Sequence, residues 1–206
     1  MTSLTPLGGR VDAVAIGASA GGVEALSLLL PALPPDLRPA VFVVLHLPRE
    51  RPSLLVELFQ PRCAVPVREA MDKDPVEAGT VYFGPPDYHL LVDRGPALAL
   101  SADGLVNFSR PSVDVLFETA ADVYGARLLG IVLTGASHDG AAGLEAIKLA
   151  GGVTAVQDPE TAHSRTMVEA ALQRTTPDFV LSLPEISRLL GTLGRADDRQ
   201  PGTADR

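Results

Sequence analysis

The sequence is poor in cysteine, in positive charge and in long apolar runs. Its single cysteine, Cys63, cannot form a disulfide within the chain. The formal net charge is -8 at pH 7 and the Lys and Arg residues are scattered, so we expect no binding to nucleic acid or to an anionic membrane. No apolar run is long enough to span a bilayer, and residues 1–10 lack the pattern of a signal peptide. These absences predict a cytoplasmic protein without membrane insertion.

The rest of the composition is typical of one globular domain. The chain has 206 residues, of which 46% are hydrophobic, and this is enough to bury one substantial core. We expect the folded domain over residues 11–194. Residues 1–10 are predicted to form a flexible lead, and residues 195–206, which have no apolar anchors, a disordered tail.

A glycine-rich stretch at residues 11–30 predicts a buried strand, a sharp turn and a helix, with Ser19 at the apex of the turn. Gly17, Gly21 and Gly22 are expected to form the turn because they have no Cβ. Such a turn can cradle a phosphate at the helix N-terminus, or raise a serine nucleophile in a G-x-S-x-G elbow. It can also simply join a strand to a helix, and the stretch by itself does not decide among these three.

Strand and helix patterns alternate along most of the remaining chain, which predicts an α/β fold with a doubly wound, mostly parallel sheet. The middle of the chain holds short β-like pieces that suggest an antiparallel meander or hairpin inserted in the sheet. The predicted strands are 40–47, 127–134, 153–157 and 179–183, the predicted helices are 52–60, 113–124, 141–150, 167–174 and 184–193, and the short pieces are 66–70, 80–83, 89–93 and 97–100.

Three polar side chains follow predicted strands, and they form a candidate catalytic triad. Ser19 follows the first strand, His46 ends the second, and Asp139 follows the strand at 127–134. Ligands of open α/β sheets bind at the carboxyl ends of the strands, so we expect the three to meet there. A hydroxyl, an imidazole and a carboxylate are what nucleophilic acyl transfer needs. Each residue also has a structural interpretation: His46 as an ordinary strand-end histidine, and Asp139 and Ser19 as helix caps.

Nucleotide and metal sites fit the sequence less well. The loop at 17–22 is not G-x-G-x-x-G, it has no Lys followed by Ser or Thr, and the second strand ends in a histidine where a ribose-binding carboxylate is expected. The histidines fall in different segments without zinc-binding spacing. We therefore expect no metal and no cofactor. A nucleotide- or phosphate-binding module and a non-catalytic interaction domain remain the alternatives to an enzyme.

Six motifs with fitting spacing run in order through the chain: IGASAGG at 16–22, LHLP at 45–48, VYFGPPDYH at 81–89, RPSVD at 110–114, LTGASHDG at 133–140 and QDP at 157–159. Together they resemble the catalytic domain of the chemotaxis protein-glutamate methylesterases, the CheB type. The resemblance covers nearly the whole folded chain. It implies a three-layer α/β/α sandwich, hydrolysis of glutamyl methyl esters on the cytoplasmic helices of chemoreceptors or on another methylated protein, and deamidation of certain receptor glutamines.

The resemblance also implies residue roles. Ser19 would be the nucleophile, His46 the general base and Asp139 its orienting carboxylate. The backbone N–H groups of Ala20 and Ala136 would stabilise the oxyanion, although the family usually has Met where this chain has Ala136. Further expectations are substrate contacts by Met167 and His138 and a monomeric state. Full-length members commonly carry an N-terminal receiver domain that blocks the site until it is phosphorylated, and this regulation would here be absent or supplied by a regulator in trans.

Overall fold

The computed structural model describes residues 7, 9–48 and 52–194, and its centre is a seven-stranded sheet in the order β3-β4-β2-β1-β7-β8-β9. Every pair of neighbouring strands in this sheet is parallel. A separate antiparallel pair is formed by β5 and β6. The strands are β1 (Ala13–Ala18), β2 (Ala40–Leu45), β3 (Val67–Glu69), β4 (Val81–Phe83), β5 (His89–Asp93), β6 (Ala97–Ser101), β7 (Leu128–Val132), β8 (Val153–Gln157) and β9 (Phe179–Leu181).

Helices cover both faces of the sheet, which confirms the predicted three-layer, doubly wound α/β sandwich. One buried cluster joins α1, α2 and α6 to one face, and a second joins α3, α4, α5 and the β5–β6 hairpin to the other. The helices are α1 (Gly22–Leu29), α2 (Leu55–Phe59), α3 (Val113–Tyr124), α4 (Ala141–Leu149), α5 (Thr166–Arg174) and α6 (Leu183–Gly191).

The central strands read as continuous apolar runs because both of their faces are covered. Every residue of β1, β2 and β7 is buried. Strand order reverses at β1, which pairs with β2 on one side and with β7 on the other. Ligands of such sheets bind at this reversal. The loops that leave β1, β2 and β7 therefore start from one edge of the sheet, at the position where a site is expected.

The short pieces in the middle of the chain differ from one another. The predicted hairpin is confirmed for β5 and β6, which form their own two-stranded sheet against α3. The first two pieces, β3 and β4, are not part of an antiparallel meander; they extend the main sheet in parallel beyond β2. A strand of three residues has too short a pattern to reveal its direction, so the sequence could not separate the two cases.

The opening turn is shorter than predicted because β1 continues through Ala18. Gly17 was expected in the turn but lies within β1, where an added Cβ would come within 2.2 Å of Val113 Cγ1. The glycine is needed there for the close approach of α3. Gly21, with φ of 80°, has the left-handed backbone that a turn requires, and Gly22 is already the first residue of α1.

The predicted lead and tail fall mostly outside the described residues, as do 49–51 before α2. The described part of the lead differs from the expected flexible segment at Leu7, which is 2% exposed and whose N–H contacts Thr192 Oγ1 at 3.4 Å. The predicted helix at 52–60 is shorter in the structure, where α2 covers Leu55–Phe59, and Leu54 before it is 70% exposed. No helix within the described residues has the length and apolar character needed to cross a membrane.

Candidate active site

Ser19 is the first residue after β1, and the backbone around it is held from two sides. Its N–H donates to the carbonyl of Thr134 at 3.0 Å, and its own carbonyl accepts from the N–H of Gly22 at 2.8 Å. The residue is partly exposed. Ser19 therefore sits in a fixed turn at the carboxyl edge of the sheet, between the end of β1 and the loop that follows β7.

His46 lies beside this turn because β2 pairs in register with β1. Leu45 is opposite Ala18, and the N–H of His46 continues the ladder by donating to the carbonyl of Ala18 at 3.1 Å. The imidazole is 13% exposed and points along the sheet edge towards the loop after β7. His46 Nε2 lies 2.9 Å from Asp139 Oδ2. The predicted pairing of the imidazole and the carboxylate is therefore present.

Asp139 is completely buried, and its carboxylate accepts five hydrogen bonds. Besides His46, the donors are the groups that begin α3 and one amide from the preceding turn. Asp139 was expected to cap the helix that starts after Gly140. In the structure its carboxylate caps the first turn of α3 instead. The other four donors are Asn107 Nδ2 at 2.9 Å, Ser112 Oγ at 2.8 Å, Val113 N at 2.6 Å and Asp114 N at 3.1 Å.

These donors decide the charge of Asp139. Burial by itself raises the pKa of the carboxyl, but the hydrogen bonds from His46, Asn107, Val113 and Ser112 lower it by more, so the pKa lies below its ordinary value. Burial has the opposite net result at Asp114, whose pKa is raised, with the charge of Asp139 adding to the shift. The hydrogen bonds around Asp139 therefore favour the ionised form of its carboxyl beside His46.

The carboxylate also fixes the tautomer of His46. Oδ2 of ionised Asp139 can only accept, so Nε2 carries the hydrogen and Nδ1 is left as the proton acceptor. Nδ1 lies 3.4 Å from Ser109 Oγ, which is a long contact. No hydrogen bond joins Ser19 to His46 among the described residues. The structure thus brings two of the predicted triad members into direct contact and places the third at the same sheet edge.

Two backbone N–H groups next to Ser19 have no hydrogen-bond partner within the part of the chain that the structure describes: those of Ala20 and Ala136. Both residues are exposed. Thr134 links their two loops, because its buried hydroxyl lies 2.9 Å from the carbonyl of Ala20 and accepts from the N–H of Ser164 at 2.9 Å. The loop of Ala136 is tied to the same segment by the N–H of Gly135, which donates to the carbonyl of Ser164 at 3.1 Å.

Comparison with known proteins identifies the domain that carries this geometry. Residues 14–190 match the family model described as CheB methylesterase. The chain belongs to the CheB methylesterase family. The crystal structure of the Thermotoga maritima CheB methylesterase catalytic domain superposes with a TM-score of 0.84 and 30% sequence identity, covering 89% of this chain and 98% of that one.

Two relatives illustrate how this CheB-type domain occurs in longer and shorter chains. A Leptospira interrogans protein, whose name provisionally assigns it as a protein-glutamate methylesterase/protein-glutamine glutaminase, is 42% identical over 178 residues, 86% of this chain and 92% of that protein. A protein-glutamate methylesterase/protein-glutamine glutaminase of Anaeromyxobacter dehalogenans is 41% identical over 186 residues. The match covers 89% of this chain and 53% of that protein, so the chain spans about half of the longer relative.

The two tentative substrate residues of this CheB-type site have different surroundings. Met167 is fully buried, and its Sδ would lie 2.4 Å from a Cβ added to Gly135, so its side chain supports the loop of Ala136 from below. That burial argues against a direct substrate contact. His138 is exposed and lines a cavity of about 340 Å³ together with Ala136 and Phe108.

Two residues that contact the CheB-type triad were missed in the sequence. Asn107 donates to both Asp114 and Asp139, and Ser109 contacts His46. Both lie in a turn that precedes the RPSVD motif, and nothing in their spacing marks them.

A larger cavity of about 570 Å³ lies at the opposite edge of the sheet, around Asp12 and Tyr124, away from the triad. No cluster of His, Cys, Asp and Glu suited to a metal is found among the described residues.

Proposed function

We propose that this chain is a protein-glutamate methylesterase that hydrolyses the γ-methyl esters of glutamate side chains on chemoreceptor cytoplasmic helices and releases methanol. The observation that carries the proposal is the contact of 2.9 Å between His46 Nε2 and Asp139 Oδ2, with Ser19 on the neighbouring strand end. The membership in the CheB methylesterase family and the names of the relatives support the same activity.

The first chemical step uses the free nitrogen of the imidazole. Nδ1 of His46 accepts the proton of the Ser19 hydroxyl while Ser19 Oγ attacks the ester carbonyl. The positive charge that forms on the imidazole is stabilised by Asp139, which stays ionised because five donors surround it. For this step Nδ1 exchanges the long contact with Ser109 for one with Ser19. Catalytic hydrogen bonds often shorten only when substrate is bound.

The tetrahedral intermediate places its oxyanion between the N–H groups of Ala20 and Ala136. Donors at that position stabilise charge that is absent from the ground state, which lowers the barrier. When the intermediate collapses, the bond to the methoxy oxygen breaks and His46 returns the proton, so methanol leaves. Water, activated by the same imidazole, then hydrolyses the acyl-enzyme and regenerates Ser19 and a free glutamate side chain.

Deamidation of receptor glutamines requires the same groups. The attack by Ser19 and the oxyanion site are unchanged, and the proton from His46 goes to a leaving ammonia instead of methanol. The names of the relatives join the two activities. We propose that both substrates use this one site, that residues 11–194 form the catalytic domain, and that the protein acts as a monomer in the cytoplasm, where the receptor helices lie.

The deciding experiment measures methanol release from a methyl-labelled chemoreceptor cytoplasmic fragment. We expect turnover by the wild type and a loss of about 10⁴-fold or more in Ser19→Ala, since triad members act as a unit. Ser187→Ala, on the distant helix α6, is the matched control and should keep the wild-type rate. Near-normal turnover by Ser19→Ala would remove Ser19 as the nucleophile.

A further inference from the structure

A tight turn beside the triad has an unusual backbone. Asn107 and Phe108 are consecutive residues with positive φ, 49° and 61°. The turn is closed on both sides, because the N–H of Ser109 donates to the carbonyl of Val106 at 2.9 Å and the N–H of Val106 to that of Ser109 at 3.2 Å. Positive φ at both central residues of a two-residue hairpin loop is the signature of a type I′ turn.

Phenylalanine is disfavoured at the position that Phe108 occupies in this turn. The second central position of a type I′ turn favours glycine, and Asn-Gly is the commonest pair, since a side chain in the left-handed region meets its own backbone. Asn107 fits the first position, whereas a bulky aromatic residue at the second position stores strain. Strain of this kind persists where the surrounding structure fixes it, and it is concentrated at functional sites.

The surrounding structure does fix this turn, from both ends. The side-chain amide of Asn107 donates to Asp114 Oδ2 at 2.7 Å and to Asp139 Oδ1 at 2.9 Å, and both of these carboxyl groups are buried. On the other side, the guanidinium of Arg110 donates to Asp87 Oδ1 at 2.7 Å and to the carbonyl of Ala102 at 2.6 Å. These hydrogen bonds hold the turn on both sides.

Phe108 lies at the rim of the candidate active site. It is 93% exposed. It lines a cavity of about 260 Å³ that includes His46 and also the cavity of about 340 Å³ that includes Ala136. One of these cavities borders the general base, and the other borders the proposed oxyanion donor. A substrate that fills either cavity therefore lies beside this ring.

We propose that Phe108 is a substrate-docking residue, which packs against an apolar side chain of the receptor helix one turn away from the esterified glutamate. Residues three and four positions apart share one face of a helix, so such a side chain reaches the rim while the glutamate enters the site. The inference rests on the proposed function for the identity of the partner. The strained, fixed turn keeps the ring in place before binding, which reduces the entropy lost on association.

Binding without turnover tests this proposal. In a Ser19→Ala background, a methylated chemoreceptor cytoplasmic fragment is titrated against the protein, and the Kd is measured with and without Phe108→Gly. We expect the Kd to rise by about 10- to 100-fold, the factor that corresponds to burial of one phenylalanine side chain. Phe108→Asn, which also suits positive φ, should behave in the same way. Leu149→Ala removes another exposed apolar side chain at the far end of α4 and should leave the Kd unchanged.

The melting temperature of the Phe108 variants provides a second readout, which separates a docking role of Phe108 from a role in holding the fold. Relief of the strain predicts that Phe108→Gly melts about 2 to 4 °C higher than its parent, although its affinity is lower. A Kd that does not change in either Phe108 variant would overturn the proposal. So would a fall in Tm together with the loss of affinity, because Phe108 would then be part of the fold.

The failure of the docking proposal and that of the proposed activity can be told apart. If the wild type binds the fragment through Phe108 but releases no methanol, docking holds and the esterase activity fails. If methanol is released and both Phe108 variants bind as the parent does, the activity holds and docking through this ring fails.

Discussion

His46 and Asp139 are joined by a hydrogen bond of 2.9 Å between Nε2 and Oδ2, although 93 positions separate them in the chain. The same oxygen, Oδ2, accepts the N–H of Val113 at 2.6 Å, so the group that orients the imidazole also caps α3. One carboxylate thus serves the proposed chemistry and the fold.

This double use predicts a combined defect in Asp139→Asn. An amide NH₂ in place of Oδ2 would face His46 and the N–H of Val113, and in place of Oδ1 it would face three other donors. In either orientation the NH₂ group of the new amide faces other hydrogen-bond donors and cannot accept from them. We therefore expect kcat to fall by about 10⁴-fold and the Tm to fall by several degrees. Steady-state methanol release and thermal melting measure the two effects.

Asp178→Asn is the matched control, because Asp178 is also a hydrogen-bonded carboxylate but contacts Thr154 and Lys148 instead. It should lower the Tm and leave kcat within about twofold of the wild-type value. If Asp139→Asn lost only stability, Asp139 would have no part in the reaction.

The pH dependence of stability gives a second test of Asp139. Burial raises the pKa of its carboxyl and hydrogen bonding lowers it further than burial raises it, so the folded-state pKa lies below that of the unfolded chain, near 3.9. Such a group contributes stability above about pH 3.9, and this contribution is lost as the pH falls through the folded-state pKa. Calorimetry should show a Tm difference between the wild type and Asp139→Asn that is present at about pH 5 and shrinks below about pH 3.9. A difference already lost at about pH 6 would mean that the pKa is raised.

Asn107 should matter for the rate because it separates two buried carboxyl groups. Asn107→Gly keeps the positive φ but removes the donor to Asp114 and Asp139, so we expect a decrease in kcat of about 10-fold. Asn107→Asp should be more harmful, since it places a third carboxyl group between the other two. Single-turnover assays separate this effect from substrate binding. Equal rates in Asn107→Gly and the wild type would show that the other four donors suffice.

The close contact between β1 and α3 predicts a rescue experiment. Gly17→Ala would place a Cβ at 2.2 Å from Val113 Cγ1, and overpacking of this kind costs about 1 to 3 kcal/mol. The loss in unfolding free energy should be partly recovered in Gly17→Ala with Val113→Ala, measured by denaturant titration, because Val113 Cβ would still lie 3.1 Å from the new Cβ. Gly104→Ala, where an added Cβ meets nothing within 4 Å, is the neutral control. Strict additivity of the two core substitutions would contradict the contact.

The sequence predicts the ends of the central strands and the start of α3 at Val113 well, and for a physical reason. Strands buried on both faces are continuous apolar runs, so the positions of Ser19, His46 and Asp139 after such runs can be read directly. The predicted start of α3 at residue 113 is confirmed, and Ser112 caps this helix by accepting the N–H of Val115 with its side chain.

The features of the fold and the site that the sequence does not predict depend on contacts between distant segments of the chain. Gly17 is required by Val113, which lies 96 positions away, and no local pattern contains that information. Asn107 reaches Asp139 only because its turn adopts positive φ, and Asp139 caps a helix that precedes it in the chain. Propensity favours Asn at such a turn but does not say what its amide will contact.

Capping of α3 by Asp139 has a consequence for control of the activity. Since one carboxylate both caps the first turn of α3 and orients the imidazole, any change that loosens this turn also releases His46. Control exerted through this part of the fold would therefore lower the stability of α3 and the rate of the reaction together.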